Sequence, residues 1–137
     1  MLDLILCVDD DPITLMLCKM VITRAEFAQQ IITAQNGEEA LSYFDDLRLN
    51  NLGANISNYP KLIFLDLNMP VMGGWEFLDH FSKEEYRSSF EDCKVIVLSS
   101  TIDPDDIKKA KTYSMVLDFL SKPISKEMLE SLKTILA

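Results

Sequence analysis

The chain switches five times between a short apolar run and a segment with helical spacing, and no other feature restricts its fold as tightly. The runs are Leu4-Ile5-Leu6-Cys7-Val8, Ile31-Ile32-Thr33-Ala34, Leu62 to Asp66, Lys94-Val95-Ile96-Val97-Leu98 and Val116 to Leu120. The first is apolar without a break and stops at Asp9-Asp10-Asp11-Pro12, the mark of a strand buried on both faces. Strands that alternate with helices imply right-handed crossovers, hence a doubly wound parallel sheet with helices on both sides, an α/β fold. At 137 residues the expectation is a single domain over residues 1–137 with no separate output domain.

Five helices are expected. Asp11-Pro12 reads as N-cap and first helical residue, since proline lacks the N–H that would be unpaired there. The helix that follows is expected to run to about Ala25 and to bury Ile13, Met16, Leu17, Met20 and Val21. Asn36 caps a second helix, with Glu39 placed to reach back and Ala40, Leu41, Phe44 and Leu47 inward. From Arg48 to Pro60 periodicity gives way to Asn, Gly and Ser, read as a long surface excursion. A turn with Pro70, Gly73 and Gly74 leads to a helix burying Phe77, Leu78 and Phe81, which Lys83 to Asp92 extends or flanks. Asp103-Pro104 repeats the cap pattern for a helix to about Lys111, and the last helix, Lys126 to Leu136, is expected to bury Met128, Leu129, Leu132, Ile135 and Leu136.

Charge excludes several functions. A formal net charge of −9 leaves no dense Lys/Arg stripe to displace counterions from a nucleic-acid backbone, so protein partners are expected and nucleic acid is not. No apolar run approaches the roughly 20 residues of a membrane span, and Met1-Leu2-Asp3-Leu4 has no basic leader, so a cytoplasmic protein without membrane contact is expected. Cys7, Cys18 and Cys93 are odd in number and form no CxxC pair, which suits buried free thiols rather than a disulfide framework or zinc site.

Parallel sheets of this kind bind ligands beyond the carboxyl ends of their strands. There the sequence places Asp9 and Asp10 after the first strand, Asp66 at the end of the third, Ser99 after the fourth and Lys122 after the fifth. Three carboxylates within ~4 Å repel by several kcal/mol per pair at an effective dielectric near ~20, so such a cluster needs positive charge. Lys122 supplies one unit and a divalent cation two more. With oxygen donors only and no convergent His or Cys, Mg²⁺ is the ion expected, bound directly by Asp10 and Asp66 and through water by Asp9. A carboxylate beside Mg²⁺ can attack phosphorus to form an acyl phosphate at Asp66, with Lys122 and the Ser99 hydroxyl offsetting charge on the phosphoryl oxygens.

Val8-Asp9-Asp10-Asp11-Pro12, Leu65-Asp66-Leu67-Asn68-Met69-Pro70, Val97-Leu98-Ser99-Ser100 and Leu120-Ser121-Lys122-Pro123 together closely resemble the signature segments of response-regulator receiver domains, the chemotaxis-regulator-like modules of two-component signalling. The resemblance covers essentially the whole chain. It implies a flavodoxin-like five-stranded sheet in the order 2-1-3-4-5. It further implies phosphoryl transfer to Asp66 from a histidine kinase or histidine phosphotransfer protein, and adds the Asn68 backbone carbonyl to Asp9 and Asp10 around Mg²⁺. Family analogy supplies a switch, in which phosphorylation draws the Ser99 hydroxyl inward and Phe119 rotates, remodelling a surface for an unidentified downstream protein. Asn68 and Thr101 are where access of the hydrolytic water would be controlled, and the protein would be a monomer or weak homodimer. Ser99 stands where Thr is frequent, Phe119 where Tyr is frequent and Gly73 where Asp or Asn is common.

Two other functions are open to a chain with this pattern. An aspartyl-phosphate phosphatase of the haloacid dehalogenase type would carry a DxD near its first strand, whereas Asp66-Leu67-Asn68 lacks the second Asp and lies mid-chain. A receiver-like interaction module that acts without phosphorylation would typically have lost the acid pair, the acceptor or the lysine, and all are present. The expectation is therefore a signalling receiver whose only chemistry is its own Mg²⁺-dependent phosphorylation and dephosphorylation.

Overall fold

The computed structural model describes residues 1–136. Strands β1 (Leu2–Val8), β2 (Ala28–Ala34), β3 (Leu62–Asp66), β4 (Lys94–Ser99) and β5 (Val116–Ser121) form one parallel sheet in the order β2-β1-β3-β4-β5. Between and after them lie α1 (Pro12–Arg24), α2 (Gly37–Leu49), α3 (Gly74–Phe81), α4 (Glu84–Ser89), α5 (Pro104–Ala110) and α6 (Lys126–Leu136). The doubly wound flavodoxin-like architecture is the one the sequence predicts, and β3 and α6 have the expected bounds.

Period-two alternation in the three central strands builds two cores at once. Ile5, Cys7, Leu62, Phe64, Ile96 and Leu98 point to one face, where Leu15, Cys18 and Ile22 of α1 and Leu129 and Leu132 of α6 cover them. Leu6, Val8, Ile63, Leu65, Val95 and Val97 point to the other, under Phe44 of α2, Phe77 and Phe81 of α3 and Tyr86 of α4. Phe44 lies 4.7 Å from Phe81 and 4.8 Å from Phe90 between ring centroids, and each such fully buried ring contributes roughly 2–3 kcal/mol.

Three expectations are corrected. There are six helices among the described residues, not five: Lys83 is extended, so the segment after α3 restarts as α4 instead of prolonging it. Tyr86 of α4 then packs against Phe81 and donates to Asp45 at 2.6 Å. Helix α1 is rotated from its expected face: it buries Leu15, Cys18 and Ile22, of the expected set only Val21 packs on the core, and Ile13, Met16, Leu17 and Met20 are 63%, 54%, 45% and 39% exposed. The helix is apolar nearly all round, so spacing alone does not select a face; its rotation follows from the return of the chain into β2, where Phe27 is buried and its N–H bonds to Ile22 O. In α6, Ile135 is exposed, with Leu129 and Leu132 filling the contact.

The α2–β3 connection is largely exposed, as expected of an excursion, although α2 runs to Leu49 and Tyr59 is buried against Phe90. It borders an open cleft of about 850 Å³ with Asp45, Arg48 and Asp92, which the Lys61 ammonium enters over the Tyr59 ring. No described helix is long and apolar enough to cross a membrane, and all three cysteines are free and buried.

Candidate phosphoacceptor site

Register brings the carboxyl ends of the central strands level: Val8 pairs with Leu65, Asp66 with Leu98 and Ser99 with Ser121. Asp66 is the last residue of β3, Ser99 the last of β4, Asp9 follows β1 and Lys122 follows β5. The Lys122 ammonium lies 2.6 Å from Asp9 Oδ2 and 3.1 Å from Asp66 Oδ1, tying together strands that are not neighbours. The Lys122 backbone N–H donates to Ser99 O at 2.8 Å, which fixes where the side chain leaves the backbone.

Asp9 is held at both oxygens, since its Oδ1 accepts the Asp11 N–H at 2.9 Å. Asp11 in turn caps α1 by accepting the Ile13 N–H. Asp9 and Asp66 are buried and Asp10 is exposed, yet carboxylate oxygens of all three lie within 4.8 Å of one another. Burial pushes the Asp66 carboxyl above the usual carboxylate range; Lys122 pulls it back, and the charges on Asp9 and Asp10 add to the rise. For Lys122, desolvation favours the neutral amine, but the hydrogen bonds to Asp9 and Asp66 outweigh it and the ammonium is held above its ordinary value.

The donor set is hard oxygen only, partly open to solvent through Asp10, and carries more negative charge than one ammonium offsets. Those are the conditions under which a small divalent cation such as Mg²⁺ fits. Ser99 is buried and its Oγ accepts the Thr101 N–H at 3.3 Å, so the hydroxyl is bonded to its own loop.

The response regulator receiver domain family model matches residues 5–133. The chain belongs to this family. Among curated relatives, the Probable methanogenesis regulatory protein FilR2 of Methanothrix harundinacea is 31% identical over 127 residues, 93% of this chain and 76% of that protein. An uncharacterized response regulatory protein of Staphylococcus epidermidis is 31% identical over 99% of this chain, which spans only 47% of that relative. Among solved structures, a two-component response regulator from Cytophaga hutchinsonii superposes with a TM-score of 0.86 at 28% identity, covering 98% of this chain and 96% of that one. The matched segment is a signalling receiver domain.

Of the residues singled out from sequence, the receiver fold gathers Asp9, Asp10, Asp66 and Lys122 into one cluster with Ser99 at the adjoining strand end. Asn68 is exposed in the loop two residues beyond Asp66, the end of β3. Phe119 does not reach the cluster; it pairs in register with Val97, is half-buried, and lines a cavity of about 170 Å³ beneath α5. One structural requirement of the site escaped sequence reading. Gly74 begins α3 with its N–H on Leu67 O at 2.9 Å, and a Cβ there would stand 2.6 Å from Asp66 O and 2.9 Å from Leu67 Cα. The two adjacent glycines after Pro70 were the available signal. Between them and Asp66, Val71 is held at φ 67°, a strained conformation for a β-branched residue.

Proposed function

We propose that this receiver accepts a phosphoryl group on Asp66 from a phosphohistidine on a histidine kinase or histidine phosphotransfer protein, and that the acyl phosphate switches a protein-binding surface. The observation that carries this reading is the Lys122 ammonium bridging Asp9 and Asp66 at the carboxyl edge of the sheet. An Asp66 oxygen forms a bond to phosphorus as the P–N bond breaks, and the donor imidazole leaves with the electron pair. Lys122 then stands where it can follow the charge from the carboxylate onto a phosphoryl oxygen, and Ser99 can donate its hydroxyl hydrogen to another while its Oγ keeps the Thr101 N–H.

Asp10, Asp66 and the Asn68 carbonyl would hold Mg²⁺, with Asp9 acting through water because both its oxygens already have partners. The ion would supply neutralisation of the phosphoryl oxygens. Ser99 and Phe119 form the switch pair in this reading: movement of the hydroxyl frees space beside β5, and the half-buried Phe119 ring has the cavity under α5 on its other side. The acidic chain with three free thiols suits the cytoplasm.

Intact mass spectrometry tests the central step. With acetyl phosphate and Mg²⁺ the protein gains one phosphoryl group, and with the metal chelated it gains none; a protein unmodified in both would overturn the reading and leave an interaction module that works without phosphorylation.

A macromolecular donor is supported by helix α1. Its exposed Ile13, Met16, Leu17 and Met20 recur at the spacing of a bundle seam, and the stripe starts beside the acid cluster at Asp11-Pro12. Met16→Glu is therefore expected to slow transfer from the cognate phosphohistidine protein by at least about tenfold, the cost of placing one charge in an apolar contact. Its phosphorylation by acetyl phosphate should match wild type. Equal slowing with both donors would exclude α1 as the docking face.

A further inference from the structure

We propose that a clasp between α3 and α5 latches α5 in its resting position and opposes phosphorylation; the proposal rests on Asp66 being the phosphoacceptor. Helix α5 is the least anchored helix of the receiver. Ala110 is its one buried residue, it belongs to neither core cluster, and a cavity of about 170 Å³ bounded by Ile107, Ala110, Val116 and Phe119 lies between it and β5.

What holds it against α3 is a group of four side chains. The Trp75 and Tyr113 rings stack at 6.2 Å and 22°, the Lys109 ammonium lies 4.5 Å over the Trp75 ring, and the Tyr113 hydroxyl donates to Asp79 at 2.5 Å. Trp75 and Asp79 are four residues apart on α3 and so share a face. Lys109 lies on α5 and Tyr113 just beyond it, so the clasp grips the carboxyl half of that helix.

Both ends of α5 lead back to the phosphorylation site by separate routes. At the amino end, the Thr101 N–H bonds to Ser99 Oγ two residues before the Asp103 cap. At the carboxyl end, the clasp leads to Trp75, whose neighbour Gly74 is wedged against the backbone of Asp66 and Leu67 with no room for a methyl group. Ser99 moving toward a phosphoryl group pulls the first route, while the clasp keeps the second in place. Helix α5 cannot follow Ser99 without sliding Lys109 and Tyr113 off α3. Whatever the clasp contributes to the resting state is thereby subtracted from the affinity of Asp66 for a phosphoryl group, and the coupling is reciprocal.

Lys109→Gln and Asp79→Ala open the clasp at exposed positions that leave both cores intact, and Lys108→Gln is the charge-matched control on the same helix. Affinity for beryllofluoride with Mg²⁺, followed by ¹⁹F NMR, reads the phosphorylated-like state without turnover. Each clasp variant is expected to bind about fivefold or more tightly than wild type, the lower range of site-to-site coupling, with the control unchanged. Amide exchange of Ile107 to Lys111 should rise in the free clasp variants, and in wild type only once beryllofluoride binds. Affinities equal to wild type, or weaker, would overturn the latch. Failure of wild type to bind beryllofluoride at all would instead overturn the Asp66 reading, and the latch with it, while faster exchange in the free variants would still register the contact as structural only.

Discussion

Asp66→Asn yields a receiver that gains no phosphoryl group from acetyl phosphate and, with metal chelated at neutral pH, unfolds at a higher temperature than wild type. Loss of the adduct is complete because the amide has no carboxylate oxygen to attack phosphorus. The gain in stability follows from what the carboxylate costs. Burial raises the Asp66 pKa in the folded state above the unfolded value near ~3.9, so the folded protein binds this proton more tightly than the unfolded chain does. The cost is absent below the unfolded pKa, grows as pH rises through the folded one and is fully present above it. A neutral isostere removes it, while the Lys122 ammonium keeps its shorter contact to Asp9. Below about pH 4 the two proteins should converge, since both then carry an uncharged group at this position. Thermal unfolding across pH checks the sign: an Asp66→Asn variant less stable than wild type at neutral pH, in chelator, would mean that the ion pair with Lys122 outweighs burial.

This conflict between stability and use explains which parts of the receiver are legible in its sequence. Asp9, Asp10, Asp66, Ser99 and Lys122 stand out because each ends an apolar strand with a group that is costly to bury there, and the parallel register then brings them level. The face of α1 is not legible in the same way. Ile13, Met16, Leu17 and Met20 are as apolar as Leu15, Cys18 and Ile22, and only the path of the chain into β2 decides which set is covered. Contacts between elements distant in sequence are harder still. Neither the Trp75, Tyr113 and Lys109 contact nor the Gly74 wedge has a local pattern, because each depends on two segments meeting after the sheet has formed. The division of Lys83 to Asp92 into a turn and α4 likewise depends on Tyr86 finding Asp45, forty-one residues away.

Lys122→Met is expected to lower metal-free stability at neutral pH by about 3 kcal/mol, the cost of leaving buried carboxylates without their cation. Methionine approximates the length and volume of the lysine stem, so the loss is of charge rather than of packing. With the ammonium gone, Asp9 keeps one hydrogen bond, from the Asp11 N–H, and Asp66 loses the only ion pair it makes among the described residues. Two treatments should restore the variant, each by a different route. Lowering the pH protonates Asp66, and since its raised folded pKa rises further without Lys122, the deficit shrinks as pH falls toward about 4. Adding Mg²⁺ at neutral pH replaces one positive charge with two and stabilises the folded state by an amount that grows as the logarithm of one plus the ratio of free Mg²⁺ to its dissociation constant. Wild type should gain less from acidification over this range, because the raised Lys122 pKa means that its own contribution is present throughout and is lost only as pH climbs through the alkaline folded pKa. The variant should still take a phosphoryl group from acetyl phosphate, slowly, yet fail to change amide exchange in β5 and α5, since no ammonium remains to carry the new charge toward β5. A urea midpoint for Lys122→Met equal to that of wild type at every pH would show that the bridge between Asp9 and Asp66 contributes nothing to folding. A normal exchange response after phosphorylation would remove Lys122 from the switch.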